Sequence, residues 1–224
     1  YGYGVSRAQR WATLTAAANG LPTSAHQVWA TSFSTVVDQI ANRRFAVDHA
    51  LAASAANNIL FVFAGTNDIA NQGASAATAY ADLSAYCAAR KAAGWYVVVG
   101  TMLPRLSVPD ATRLSFNALI MADSTSWNAK CDFGAEATMG QYANVNNPTY
   151  YLDGIHPTAA GQALLATNVG NAALAAAILA AQNDQGDDAA FSPPGGNAFA
   201  AGAPIAGTIV PGAANTGSTG QQVA

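Results

Sequence analysis

The sequence predicts an α/β protein in which helices cover both faces of a parallel sheet. Two runs of residues carry this reading. Asn58-Ile59-Leu60-Phe61-Val62-Phe63-Ala64 and Trp95-Tyr96-Val97-Val98-Val99-Gly100 are continuously apolar rather than alternating. Such runs suit strands buried on both faces, and the first is expected to be a central strand. The stretch after each run has helical periodicity, and strand–helix alternation at this spacing belongs to parallel sheets with crossover helices.

The elements follow in order. A helix is expected over 7–18, with Ser6 as its N-cap, Trp11 and Leu14 on one face, and Asn19-Gly20 as the stop. A short extended piece follows over 26–29. The next helix starts after Ser32 or Ser34, with Val36, Val37, Ile40 and Ala41 on one buried side. Helical tendency then continues, with breaks, through Phe45 and Leu51. After the 58–64 strand and its Gly65-Thr66-Asn67-Asp68 turn, a helix is expected over 76–93 with Tyr80, Leu83 and Cys87 on one side. Arg90 and Lys91 fall in its last turn, where cations suit the helix dipole, and Gly94 lies just past it. The 95–100 strand is closed by Pro104. Asp110 can cap a helix reaching about 124, a weaker strand lies near 129–133, and a last long helix runs over 158–181. From Gln185 onward a Gly/Ala/Pro/Thr/Ser mixture has no period. The expected division is therefore an α/β domain over 1–184 and a low-complexity linker or tail over 185–224.

Composition narrows the function classes. Only 9% of the 224 residues are charged, against roughly 25% in an ordinary soluble domain. Alanine fills about a quarter of all positions. A net charge of −3 argues against a nucleic-acid partner, which calls for a basic patch. Gly, Asn, Gln or Thr interrupt every apolar stretch of membrane-spanning length, so no membrane span is expected. Cys87 and Cys131 can form one bridge or stand as two buried thiols. His26, His49 and His156 are scattered and no CxxC occurs, so no metal is expected. No G-x-G-x-x-G follows a strand, which sets a dinucleotide site aside; no cofactor is expected.

Two short motifs can carry chemistry. Gly65-Thr66-Asn67-Asp68 stands at the carboxyl end of a buried strand, where open α/β sheets place their sites. Asp153-Gly154-Ile155-His156-Pro157 precedes the final helix. Alone, each reads as turn and capping chemistry. Together they supply more. An Asp three residues before a His can bring its carboxylate to the imidazole Nδ1 and leave Nε2 as a base. Pro157 biases His156 toward extended backbone. An Asn amide at a neighbouring strand end can donate to a developing oxyanion. Base, orienter and oxyanion donor are three of the four parts of an acyl-transfer site.

On these residues the chain resembles the SGNH/GDSL hydrolases: Gly65-Thr66-Asn67-Asp68 is similar to their G-x-N-D block and Asp153-Gly154-Ile155-His156 to their D-x-x-H block, in matching order and context. Tyr150-Tyr151-Leu152 and Thr158-Ala159-Ala160-Gly161 add to the likeness, which spans most of residues 1–181. The resemblance implies a flavodoxin-like three-layer α/β/α fold and hydrolysis of small acyl esters, with O-acetyl groups on carbohydrates as one class, through a serine nucleophile. It implies His156 as base, Asp153 as its partner, Asn67 as oxyanion donor and Gly65 as turn support. The substrate would be a small-molecule or glycan ester. Two departures accompany it. The family's G-D-S block runs directly into a stretch like Tyr1-Gly2-Tyr3-Gly4, so the nucleophile and the first strand are expected before Tyr1; Ser6 reads as a helix cap. In Ala30-Thr31-Ser32-Phe33-Ser34-Thr35, Phe33 stands where relatives place a glycine. Its N–H can still serve the oxyanion, but its side chain is expected to obstruct the site or disfavour the required backbone angles. The alternative is a non-catalytic binding or structural module on the same fold.

Overall fold

The computed structural model describes residues 4–22, 27–28, 33–42, 44–51 and 58–186. Residues 1–3, His26 and Trp29 of the expected 26–29 piece, Ser32 and the low-complexity stretch from 187 onward lie outside the described residues. Strands β1 (Ile59–Val62), β2 (Tyr96–Gly100) and β3 (Ala129–Cys131) form one parallel sheet in the order β1-β2-β3. Ile59 lies opposite Tyr96, and Gly100 opposite Cys131. The middle strand of the described sheet is thus β2, not the 58–64 run. Val97, Val98 and Val99 are fully buried, whereas Ile59 and Phe61 of β1 are only half-buried.

Strand pleating divides the side chains between two cores. Leu60, Val62, Val97 and Val99 join Leu83 and Cys87 of α5 (Ala76–Ala92), and Phe116 and Ile120 of α6 (Asp110–Ala122). Val36 of α2 (Val36–Asn42), Val47 of α3 (Arg44–His49) and Ile69 of α4 (Thr66–Gln72) complete that side. Val98, with Ile59 and Phe61 packed beside it, joins Trp11 of α1 (Trp11–Ala18), Leu165 of α7 (Ala159–Leu165) and Ala177 of α8 (Asn171–Gly186). Trp11 meets Phe61 and Phe133 edge-on, with centroids 5.3 and 4.8 Å apart. Cys87 and Cys131 sit in different cores and both are free. Burial pushes each thiol up to about 12, so both stay protonated at neutral pH.

Helix ends show where tertiary contacts redraw the expected boundaries. The 7–18 helix is broken at Arg10, which is extended (φ −78°, ψ 141°) between a 3₁₀ turn, Arg7–Gln9, and α1. The cause lies far along the chain. The buried Gln162 Oε1 accepts the Trp11 N–H at 2.9 Å and so caps α1 from α7. Ser6 caps only the 3₁₀ turn, its N–H and hydroxyl both donating to Gln9 Oε1 at 3.2 and 2.8 Å. Helix α2 begins at Val36 because Thr35 and Asp38 cap it reciprocally: the Thr35 N–H donates to Asp38 Oδ2 (2.9 Å), and the Asp38 N–H to Thr35 Oγ1 (3.1 Å). Val37 is exposed rather than buried, and so is Phe45, because the short α2 and α3 turn Val36 and Val47 inward instead.

Helix α5 ends as its glycine predicts. The Trp95 N–H reaches Arg90 O (3.1 Å) and the Gly94 N–H reaches Lys91 O (3.0 Å). Arg90, however, is buried: it pairs with Asp48 at 3.1 Å and lies 5.2 Å from the Tyr86 ring centroid. In α6, Asp110 is the first helical residue, not the cap, and accepts from Arg113 Nε at 2.6 Å. The third strand stops at Cys131, and Phe133 opens a 3₁₀ turn.

The last helix starts where expected, with Thr158 Oγ1 accepting the Gly161 N–H at 3.2 Å. A π-helical turn, Ala166–Gly170, separates α7 from α8. Among the described residues this one helical stretch, Ala159–Gln182, is long and apolar enough by length and composition to cross a membrane. The sequence reading excluded a span because polar residues interrupt the stretch; averaged over a spanning window, alanine and leucine outweigh them. Leu165, Ala166 and Ala177 of this stretch are buried in the second core.

Candidate active site

The candidate site draws on the turn after β1, the loop after β2, residues 33–36 and the turn before α7. After β1 the chain turns at Gly65, with φ +98°. A Cβ there would overlap the Phe116 ring, so both backbone angle and space require glycine. The turn leads into α4, a two-turn helix where the sequence pattern shows only the 65–68 turn. Its first residues hold the neighbouring 33–36 segment: Asn67 Nδ2 donates to Ser34 O at 3.0 Å, and the Asp68 carboxylate accepts the Val36 N–H at 3.0 and 3.2 Å.

Asp68 is 4% exposed. Burial pushes its carboxyl above the ordinary carboxylate range, against the pull of the Val36 N–H. Asp68 is a clamp on the start of α2. Asp68→Ala would leave the buried Val36 N–H without its acceptor, at a cost of about 1–3 kcal/mol. A thermal melt of this variant is expected to show a midpoint lower by several degrees; an unchanged midpoint would contradict the clamp.

Phe33 adopts the backbone angles that its side chain was expected to disfavour. Its backbone is left-handed, φ +62°, the conformation that favours glycine. Its ring is 82% exposed, turned out to solvent. The backbone therefore keeps a glycine-like shape despite its side chain, at a cost of about 1–2 kcal/mol. Because the exposed ring buries little surface, Phe33→Gly is expected to stabilise the protein by about 0.5–1 kcal/mol net of the extra chain entropy. Differential scanning calorimetry checks this: the melting midpoint should rise by about 1–4 °C, and a fall would show that the ring contributes more than its exposure suggests.

The second motif forms a closed turn before α7. The Ile155 and His156 N–H groups donate to Asp153 Oδ1 at 3.0 and 2.8 Å, and His156 Nδ1 lies 2.8 Å from Asp153 Oδ2. Gly154 has φ +75°, and a Cβ there would overlap the Leu106 side chain. The Leu152 N–H to His156 O bond (2.8 Å) and the Thr158 N–H to Tyr150 O bond (2.9 Å) close the turn, with Tyr151 bridged to Pro157. The His156 side chain stays about one-third exposed, accessible for chemistry. Partial desolvation pushes the Asp153 carboxyl up, but the bonds from the His156 ring and the two N–H groups outweigh it and bring it below the ordinary carboxylate range. A proton on Nδ1, facing this carboxylate, would leave the ring's lone pair on Nε2.

One loop joins the two motifs. Residues 105–107 follow β2, and the Leu106 N–H donates to Gly154 O at 2.9 Å. In the same loop, Arg105 Nη1 lies 3.5 Å from both Thr66 Oγ1 and Asn67 Oδ1. Asn67 and the Asp153–His156 turn are thus both in contact with residues 105–107. Ser6, already tied to Gln9, is held as a cap.

A model of the GDSL-like lipase/acylhydrolase family matches residues 1–164. The chain belongs to this family. Solved structures agree on the fold. A carbohydrate esterase family 3 protein from Talaromyces cellulolyticus is 18% identical with a TM-score of 0.55, covering 76% of this chain and 92% of its own. A member of the lipolytic protein G-D-S-L family from Veillonella parvula is 19% identical at a TM-score of 0.53, covering 74% and 87%. A psychrotrophic esterase from Pseudoalteromonas sp. is 14% identical at 0.51, covering 81% and 92%. No curated protein matches the chain. For this GDSL-like hydrolase, membership supports ester hydrolysis in general. The sequence reading missed two of its site elements, the Asp68 clamp and the 105–107 loop. For the loop the one available signal is a cation just after Pro104, the expected strand stop.

Proposed function

We propose that this protein hydrolyses small acyl esters, O-acetyl groups on carbohydrates among them, with a serine, His156 and Asp153, and that the serine stands N-terminal to Tyr1. The 2.8 Å contact between His156 Nδ1 and Asp153 Oδ2 carries the reading, because it fixes the tautomer that a general base needs. The carbohydrate class draws support from the fold shared with the Talaromyces carbohydrate esterase.

In this reading the serine Oγ attacks the ester carbonyl carbon while His156 Nε2 takes its proton. The carbonyl π pair moves onto oxygen, and this oxyanion accepts from Asn67 Nδ2, whose other hydrogen is on Ser34 O, and from the Phe33 backbone N–H. Collapse expels the alcohol, which takes the proton from His156. Water, deprotonated by His156, then cleaves the acyl-serine and restores the enzyme.

Fluorophosphonate labelling and p-nitrophenyl acetate hydrolysis test this on residues 1–224 with and without the native upstream residues. The expected result is label and turnover only with the upstream residues, on a serine before Tyr1. Label on Ser6 or Ser32 would overturn the nucleophile assignment. Neither label nor turnover in either form would favour a non-catalytic module.

A further inference from the structure

We propose that Arg105 is a positioning residue that fixes the side-chain amide of Asn67. The proposal rests on the reading of Asn67 as oxyanion donor only for its catalytic consequence; the contact itself stands apart from that reading.

Arg105 is 9% exposed and follows β2 by a few residues. Its guanidinium faces oxygens: Nη1 lies 3.5 Å from Thr66 Oγ1 and from Asn67 Oδ1, Nη2 3.5 Å from Ser107 Oγ, and Nε 3.4 Å from Leu106 O. At these lengths each contact is at the outer limit of hydrogen bonding, so the group acts on Asn67 as a nearby charge more than through one tight bond.

The Asn67 amide therefore sits between unlike neighbours. On its Nδ2 side is the Ser34 carbonyl, which can only accept; on its Oδ1 side are Arg105 Nη1 and, at 3.3 Å, Asn71 Nδ2, which donate. Rotated by 180°, the amide would place oxygen against the Ser34 oxygen and N–H against the guanidinium. Both contacts would be repulsive, and the cation makes the second the worse. Arg105 thus holds the amide with its N–H edge toward the 33–36 segment.

Backbone strain supports a working role for this loop. Among the described residues, Phe33 (φ 62°) and Ser107 (φ 71°) are the non-glycine positions with positive φ. One adjoins Ser34, which takes the Asn67 N–H; the other offers its hydroxyl to Arg105. Strain of this kind persists where the surroundings over-determine it, and it gathers at functional sites. The same loop carries Leu106, whose N–H holds Gly154 of the Asp153–His156 turn.

The test has two arms. The first uses the 224-residue protein and needs no hydrolysis. The ¹⁵N side-chain amide signals of Asn67 are assigned by their loss in Asn67→Ala, then followed in Arg105→Met and Arg105→Lys. Arg105→Met is expected to shift or broaden the Asn67 pair while the Asn117 and Asn128 pairs stay in place; Arg105→Lys should restore part of the wild-type signal. An Asn67 pair that does not respond to Arg105→Met overturns the proposal. The second arm uses the form active on esters. Arg105→Met should lower kcat by about 10- to 100-fold with little change in KM, and should have almost no effect in an Asn67→Ala background. Losses that multiply fully in the double variant overturn the proposal. If the Asn67 signals respond and no form hydrolyses any ester, the positioning role stands and the catalytic reading of Asn67 falls.

Discussion

Asp153→Asn is expected to lower kcat for ester hydrolysis by about 10⁴-fold while leaving the fold intact. The Asp153 carboxylate accepts two backbone N–H groups on one oxygen and the His156 ring on the other. An asparagine keeps an oxygen for the two N–H groups, so the turn closes as before. Its Nδ2 then faces the ring, which must accept at Nδ1 and carry its proton on Nε2, where it cannot serve as a base. Steady-state kinetics beside a thermal melt separate the two effects: kcat collapses and the midpoint barely moves. A loss smaller than about tenfold would remove Asp153 from the role of orienter. The acid side follows from the same bonds. Because the folded carboxyl lies below the ordinary carboxylate value of about 3.9, its contribution to the turn is complete above that value. It is lost only as pH falls through the lower folded-state value.

Asn67→Ala should cost about 10²–10³ in kcat, the usual loss on removing one oxyanion donor. The substitution also frees Ser34 O from its 3.0 Å bond, so part of any loss could come from a shifted 33–36 segment. Asp68→Ala isolates that part, since it releases the same segment through the Val36 N–H without touching the amide. Asn67→Ala is expected to exceed Asp68→Ala in lost kcat, and to fall short of it in lost thermal stability. The reverse ranking would make Asn67 a structural residue.

Local patterning accounts for the main elements. The apolar runs at 58–64 and 95–100 both became parallel strands, and the pairing of Gly94 with the end of α5 followed from residue type alone. Several departures share one physical origin, contacts between residues far apart in sequence. Nothing near Arg10 announces a break, because the group that caps Trp11 is Gln162. Arg90 looks like a dipole partner in its own helix, yet Asp48 and Tyr86 draw it into the interior. At the site, Asp153 and His156 were legible because their bond spans three residues. Asp68 and Arg105 were not, because their partners lie on other elements: Val36 at the start of α2 for the one, Asn67 in α4 for the other. Phe33 shows the opposite limit. Its side chain argues against a left-handed backbone, and the surrounding structure imposes one.

His156, held by Asp153, is proposed above as the base of an ester hydrolase. The test is p-nitrophenyl acetate hydrolysis by the form that takes up the fluorophosphonate label, compared with its His156→Ala variant at equal concentration. Turnover is expected in the first and a loss of about 10³-fold or more in the second. Turnover in His156→Ala within a few-fold of the parent would contradict it.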